Sequence, residues 1–288
     1  MSGAVRVGLI GYGLGGSVFH APLIRAVKRL TLSAVATSRH VEGVPAVRDP
    51  AELIGDPDID LVAIASPNDA HFPLAQAALN AGKHVVVDKP FTLDLAQADS
   101  LIALARQRER LLTVFHNRRW DGDFLTVSEL IAAGRLGEVR LFEAFWDRFR
   151  PNIKAGWREV PAEGAGLLND LGPHLIDQAL NLFGLPEAVT GDVAAQRAKA
   201  QVDDYFHLTL HYGRLRVVLG ASTLVAAPRP RFAVHGTNGS FVKYGVDPQE
   251  ARIKTGRGAD APGLGDDVAS AYGTFTSGDG AIERIATQ

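Results

Sequence analysis

Asp170 and His174 stand four residues apart, and Lys89 lies between an acid and a proline in Asp88-Lys89-Pro90. A histidine exchanges a proton near neutral pH, a carboxylate one helical turn away orients or charges it, and an ammonium stabilises developing alkoxide charge. Such a set suits oxidation of an alcohol, in which a base takes the hydroxyl proton as hydride leaves carbon; in reverse the same groups act as acids. If a helix has begun by Asp170, the two side chains share a face. The alternative is that Asp170 caps the helix, with Pro173 in its first turn, and His174 only packs.

Hydride requires a carrier. Gly11, Gly13 and Gly16 form G-x-G-x-x-G directly after the apolar run Val5 to Ile10 and directly before a helical pattern. In that context the first glycine allows a tight turn, the second lets a pyrophosphate approach the backbone, and the third lets helix and strand pack closely. Gly11, Tyr12, Gly13, Leu14 and Gly16 are therefore assigned to a dinucleotide. At the end of the second strand, where NAD sites carry an acid, this chain has Thr37-Ser38-Arg39. Ser38 and Arg39 suit a 2′-phosphate, so NADP is the expected cofactor, with NAD the alternative.

The elements that position these residues fall into two groups. Strands at Val5 to Ile10, Leu32 to Thr37, Leu61 to Ala65, His84 to Val87 and Leu111 to Phe115 alternate with helices at Val18 to Leu30, Ala51 to Ile54, Phe72 to Ala81 and Leu95 to Arg108. This rhythm predicts a doubly wound parallel sheet of Rossmann type, with Gly82 ending one helix and Asp94 capping another. Later strands (Glu138 to Trp146, Ala188 to Gln196, Tyr205 to His211, Arg214 to Leu224, Arg231 to His235 and Ser240 to Tyr244) have few helices between them, Phe124 to Ala133 and Leu175 to Phe183 being the exceptions. The fold class is thus α/β: a dinucleotide-binding domain over residues 1–119, then a substrate-binding α+β domain over 120–288 with a mostly antiparallel open sheet. Tyr212-Gly213-Arg214 reads as a hairpin turn, and Thr255 to Ala281 as a long loop.

Position on the sheet extends the cofactor set. Ser66, Pro67, Asn68 and His71 end the third strand and enter the next helix, where Asn68 and His71 reach ribose or nicotinamide; the alternative is an ordinary Pro-Asn turn. Asp88 and Lys89 follow the fourth strand and Asn117 the fifth. Trp120, Arg150, Arg158 and His174 are the candidate substrate residues, one flat wall plus donors for a polyol, though loop arginines also serve as surface ion-pair partners. His207 and His211 share a strand face without a third ligand, so no metal is expected.

The 288 residues carry 30 basic and 32 acidic side chains and no cysteine, which excludes thiolate chemistry and speaks against a nucleic-acid partner. No signal or membrane-spanning run is read, and a cytoplasmic protein is expected. Imperfect alternation along Tyr205 to His211 and Arg214 to Leu224 predicts a homodimer or homotetramer joined through the second sheet.

Taken in order, Ser66-Pro67-Asn68-Asp69-Ala70-His71, Asp88-Lys89-Pro90 and Asp170-Leu171-Gly172-Pro173-His174 resemble the motifs of the Gfo/Idh/MocA oxidoreductases. Asn117-Arg118-Arg119-Trp120-Asp121 and Asp147-Arg148-Phe149-Arg150-Pro151 look most like the branch of NADP-dependent scyllo-inositol dehydrogenases. The resemblance implies that Lys89, Asp170 and His174 are catalytic and that the substrate is a polyol, cyclitol or sugar. Two features depart from the pattern: Asp88 replaces the family's glutamate, and the chain ends before the family's usual last helix and strand. A cofactor-binding sensor without turnover, or a reductase of a dihydrodiol or biliverdin-like substrate, are the competing readings.

Overall fold

The computed structural model describes residues 3–153, 159–227 and 229–288. It divides into two units, Met1–His116 with Glu250–Leu264, and Asn117–Gln249 with Gly265–Gln288. The division falls three residues before the expected boundary, and Glu250–Leu264, expected in the second domain, belongs to the first unit.

In the first unit β1 (Val5–Ile10), β2 (Leu30–Ala36), β3 (Ala46–Val47), β4 (Leu61–Ile64), β5 (His84–Val87) and β6 (Leu112–Val114) form a parallel sheet in the order β3-β2-β1-β4-β5-β6. Val7, Leu9, Val35, Val62, Ile64, Val85 and Val87 are all but completely buried, because helices cover both faces and a strand so placed has no solvent side. The helices on it are α1 (Ala21–Ala26), α2 (Pro50–Gly55), α3 (His71–Asn80) and α4 (Leu95–Gln107). Local signals behave as their chemistry requires: Asp94 accepts from Ala96 N (2.6 Å) and Gln97 N (3.2 Å) to start α4, and Gly82 takes φ +75° just past α3. The helix expected over Val18 to Leu30 is instead a π-helical turn, Gly15–His20, running into α1 and ending by Val27. Val27 is extended, and Leu30 pairs with Val5 as the first residue of β2. The apolar spacing across 18–30 reads as one helix, but sheet pairing claims its last turn.

The second unit contains α5 (Gly122–Ala132), β7 (Val139–Phe145), α6 (Leu167–Phe183), β8 (Ala188–Ala194), β9 (Tyr205–Tyr212), β10 (Leu215–Ser222), β11 (Phe232–Gly236), β12 (Gly239–Lys243), β13 (Gly273–Ser277) and β14 (Ile282–Ile285); α7 (Gln249–Lys254) lies across the boundary between the units. Its strands form one eight-stranded sheet in the order β14-β13-β12-β11-β7-β10-β9-β8, antiparallel except for β7 with β10. The core packs α5 and α6 against the apolar positions of this sheet, with Phe142, Phe206, Phe232 and Phe241 among the largest buried side chains. Gly213 and Arg214 form the expected hairpin turn, with Tyr212 opposite Leu215.

Two expectations fail here. The stretch 255–281 is not one loop, since β13 lies within it and pairs with β12. Its sequence Gly-Thr-Phe-Thr-Ser offers a single large apolar residue, Phe275, and the strand forms because Phe275 meets Phe241 across the ladder. α6 begins at Leu167 rather than Leu175, with Gly172 and Pro173 inside it. Asp203 caps its start, accepting from Leu168 N at 2.7 Å through its side chain and from Leu167 N at 2.9 Å through its carbonyl. Gly166 is the capping position in the chain, so the reading of Asp170 as an N-cap is overturned. Among the described residues no helix is long and apolar enough to cross a membrane.

Candidate functional site

Parallel strands bring the loops at their carboxyl ends to one edge of the sheet. In the first unit that edge collects the turn at Gly11 after β1, Thr37 after β2, Ser66 after β4 and Asp88-Lys89 after β5. Gly11 takes φ +94°, and a side chain there would strike the Ala65 carbonyl; one at Gly16 would strike the Gly11 carbonyl. At Gly13, by contrast, a Cβ meets nothing within 4 Å. The loop is thus closed against the sheet at Gly11 and Gly16 and open above Gly13, which fits a pyrophosphate approaching the backbone at the start of the Gly15–His20 turn. Tyr12 is half-buried and Leu14 is exposed. No carboxylate stands after β2: Thr37 Oγ1 accepts from Arg39 N at 3.1 Å, and the side chains of Ser38 and Arg39 are exposed.

Asp88 lies under the same loop. Burial acts to raise its carboxyl, but His20 Nε2 at 3.7 Å and the Lys89 N–H, donating to Asp88 Oδ1 at 2.8 Å, outweigh this and hold it below the usual range. His20, 4% exposed with its ring centre 4.2 Å from that of Phe115, is a residue the sequence did not single out. Ser66 Oγ donates to the Pro67 carbonyl at 3.4 Å, and Asn68 opens a short 3-10 turn, Asn68–Ala70. His71 is turned inward, 1% exposed, with both ring nitrogens on backbone carbonyls. Asn117, also expected at the cofactor, is the first residue of the second unit.

In the second unit α6 carries Asp170 and His174 one turn apart on one face. Asp170 Oδ2 lies 3.6 Å from Arg148 Nη1, and the His174 ring lies 5.9 Å from that of Trp146. The guanidinium groups of Arg118 and Arg231 stand 4.9 and 5.0 Å from the Trp146 ring centre. Gln178, one turn beyond His174, accepts from Arg231 Nη2 at 2.9 Å and donates to the Arg118 carbonyl at 2.8 Å, so the helix is registered to both arginines. The ring beside His174 is therefore that of Trp146, whereas Trp120 stands 71% exposed. Arg150 is exposed, with its N–H donating to the Thr223 carbonyl; Arg158 lies outside the described residues. His211 Nε2 bonds Thr190 Oγ1 at 3.1 Å.

Under these arginines lie buried carboxylates. Asp121 is 3.5 Å from Arg118 and Asp123 is 3.9 Å from Arg231. Burial pushes the Asp121 carboxyl up to about 8 despite the pull of Arg118, with Asp123 and Asp247 adding to the rise. A carboxyl whose folded pKa is raised holds a proton that the unfolded chain has released, so stability falls as pH rises from about 4 through about 8. Asp121→Asn is expected to flatten the decline in melting temperature across that window; equal slopes in parent and variant would refute the assignment.

The family model for the oxidoreductase family with an NAD-binding Rossmann fold matches residues 5–116, and that for the GFO/IDH/MocA C-terminal domain matches 124–242. The chain is 50% identical to the uncharacterized oxidoreductase YdgJ of Escherichia coli over 99% of its length and 84% of the relative's. It is 42% identical to IolW of Bacillus subtilis, named as a scyllo-inositol 2-dehydrogenase (NADP(+)), over 98% of this chain and 81% of that one. The solved structure of yvaA from Bacillus subtilis superposes with a TM-score of 0.97 at 40% identity, covering 100% of this chain and 85% of that one.

Proposed function

Since the chain belongs to the Gfo/Idh/MocA family of NAD-binding oxidoreductases, we propose that it is an NADP-dependent dehydrogenase of a polyol, cyclitol or sugar. The observation that carries the reading is the face of α6 on which Asp170 and His174 stand with Arg148 and Trp146 beside them. A nucleotide-binding sensor needs no acid-base pair, whereas removal of a hydroxyl proton does.

The nicotinamide, when bound, supplies the hydride chemistry; the protein handles the proton and the charge. His174 takes the hydroxyl proton at a ring nitrogen in oxidation and returns it in reduction. Asp170, held by Arg148, presents a fixed carboxylate that accepts from a substrate hydroxyl. Trp146, itself buried, packs beside the His174 ring and holds it in place on α6. In the first unit the Lys89 ammonium donates to the reacting oxygen as charge develops there. Gly11, Gly13 and Gly16 hold the pyrophosphate, and Ser38 and Arg39 read the 2′-phosphate.

The name of IolW supports both the cofactor and the cyclitol class. The test is nucleotide reduction followed by absorbance with a panel of inositols and aldoses, each with NADP and NAD. Turnover of a cyclitol or sugar with preference for NADP is expected. Arg39→Ala should weaken NADP about fivefold or more and NAD little, since a contact charge pair at the surface contributes about 1 to 4 kcal/mol. Equal losses for both nucleotides would remove the 2′-phosphate assignment, and no turnover across the panel would remove the substrate class.

A further inference from the structure

We propose that Arg197, through its buried ion pair with Asp204, is a positioning residue that holds the start of α6 and the stretch carrying Arg148 in one register, so that Asp170 meets Arg148. This rests on the reading of Asp170 and His174 as the groups that handle substrate, and every residue involved lies in the second unit.

Arg197 and Asp204 take no part in the proton chemistry, yet their side chains are only 3% and 1% exposed. Arg197 Nε donates to Asp204 Oδ2 at 2.7 Å, and the backbone N–H groups of Arg197 and Gln196 donate to the same carboxylate at 3.0 and 2.7 Å. Burial works against the charged carboxyl, but these donors outweigh it and hold it below the usual range. Such a pair adds little to stability, because withdrawing two charges from water offsets most of their attraction. Its gain is fixed geometry, since a planar guanidinium holds several acceptors at set angles. Arg197 places the rest of that fork on Glu159 Oε2, 2.7 Å from Nη2, on Glu159 Oε1, 3.3 Å from Nη1, and on the Arg150 carbonyl, 3.4 Å from Nη1.

These contacts lead to both sides of the acid-histidine face. Toward α6, Asp204 follows Asp203, which bonds the N–H groups of Leu167 and Leu168. Gly166, at φ +94°, lies so close that a side chain there would strike the Asp203 carboxylate, and its carbonyl accepts from Asp170 N at 3.1 Å. Toward Arg148, the Asp204 carbonyl accepts from Thr223 N at 3.1 Å, the Thr223 carbonyl from Arg150 N at 2.7 Å, and the Ser222 carbonyl from Arg148 N at 2.9 Å. The two paths close where Arg148 Nη1 lies 3.6 Å from Asp170 Oδ2. A contact of that length between partly exposed side chains is too weak to hold helix and strand in register by itself. The buried pair behind it does so, and His174, one turn further along α6, is placed by the same restraint.

Two variants test this. Arg197→Met combined with Asp204→Asn removes both charges together and leaves neither buried alone, whereas Arg197→Lys keeps the charge but not the fork. The first readout is amide hydrogen exchange, followed by NMR on the nitrogen-15-labelled full chain without nucleotide or substrate. In the parent the Leu167 and Leu168 amides are expected to be protected, although amides in the first turn of a helix have no acceptor within it. In the double variant their protection should fall at least tenfold, with the melting temperature and the exchange of α6 beyond Leu175 unchanged. The second readout is kinetic: on a substrate from the panel, kcat should fall about tenfold or more in the double variant and less in Arg197→Lys, with NADPH affinity unchanged. Unprotected Leu167 and Leu168 in the parent would overturn the proposal, as would parent-like exchange or parent-like turnover in a folded double variant. Protection lost uniformly over α6 and the sheet would show a purely structural role and overturn it too. Should the double variant fail to fold, Arg197→Lys is read by the same criteria. A parent that turns over nothing in the panel would overturn the proposed substrate class, while the exchange result, which needs no substrate, still decides whether the pair fixes the start of α6.

Discussion

His174→Ala is expected to lower turnover by about 10²–10⁴-fold, the usual contribution of a positioned acid-base group, while leaving NADP(H) affinity nearly unchanged. The two halves of this prediction have separate physical sources. The glycine loop, Ser38 and Arg39 all belong to the first unit, whereas His174 stands on α6 in the second. The ring is 7% exposed and packed beside Trp146, so its removal also leaves a small void; His174→Gln fills most of that volume and separates packing from proton transfer. Both variants should lose turnover together if the proton is the cause. Single-turnover rates and nucleotide titration check this on a substrate from the panel. Parent-level turnover in a folded His174→Ala would move the base to Lys89.

Lys89→Ala should behave differently, lowering kcat and raising KM together. An ammonium that donates to the substrate oxygen does so before and during reaction, so its loss weakens ground-state and transition-state contacts alike. Loss of one donor to a developing oxyanion costs about 10²–10³-fold in kcat, and kcat/KM should fall further still. Lys89→Arg is not expected to rescue, because a planar guanidinium does not reproduce the size and donor geometry of a compact ammonium. Unchanged kcat/KM in either variant would place Lys89 outside the reaction and leave it as a partner of the adjoining loop.

These outcomes depend on features that were unequally legible in the sequence. The glycine loop, the parallel strands, the Asp94 cap, the turn at Gly213-Arg214 and the acid-histidine spacing are set by residues within a few positions of one another. Their type and order are sufficient to read them. The three separated motifs, in family order, pointed to the oxidoreductase family to which the chain belongs.

What surrounds the reactive groups was decided by the tertiary structure. Asp203 starts the helix that carries His174 from 35 positions away, and Arg231 reaches Gln178 across 53. Arg118 and Arg231 stand over Trp146, and Arg148 pairs with Asp170, although nothing local distinguishes these arginines from the exposed Arg150. His71 reads in the chain as a free ligand at a helix entry; only the approach of β5 to β4 turns it inward between two carbonyls. The division has one cause. Turns, caps and strand patterns follow from local sterics and hydrogen bonding, which the order of residues determines by itself. Burial, ion pairing and the Asp121 carboxyl's raised pKa depend on which distant segments the folded sheet brings together and how far they exclude water.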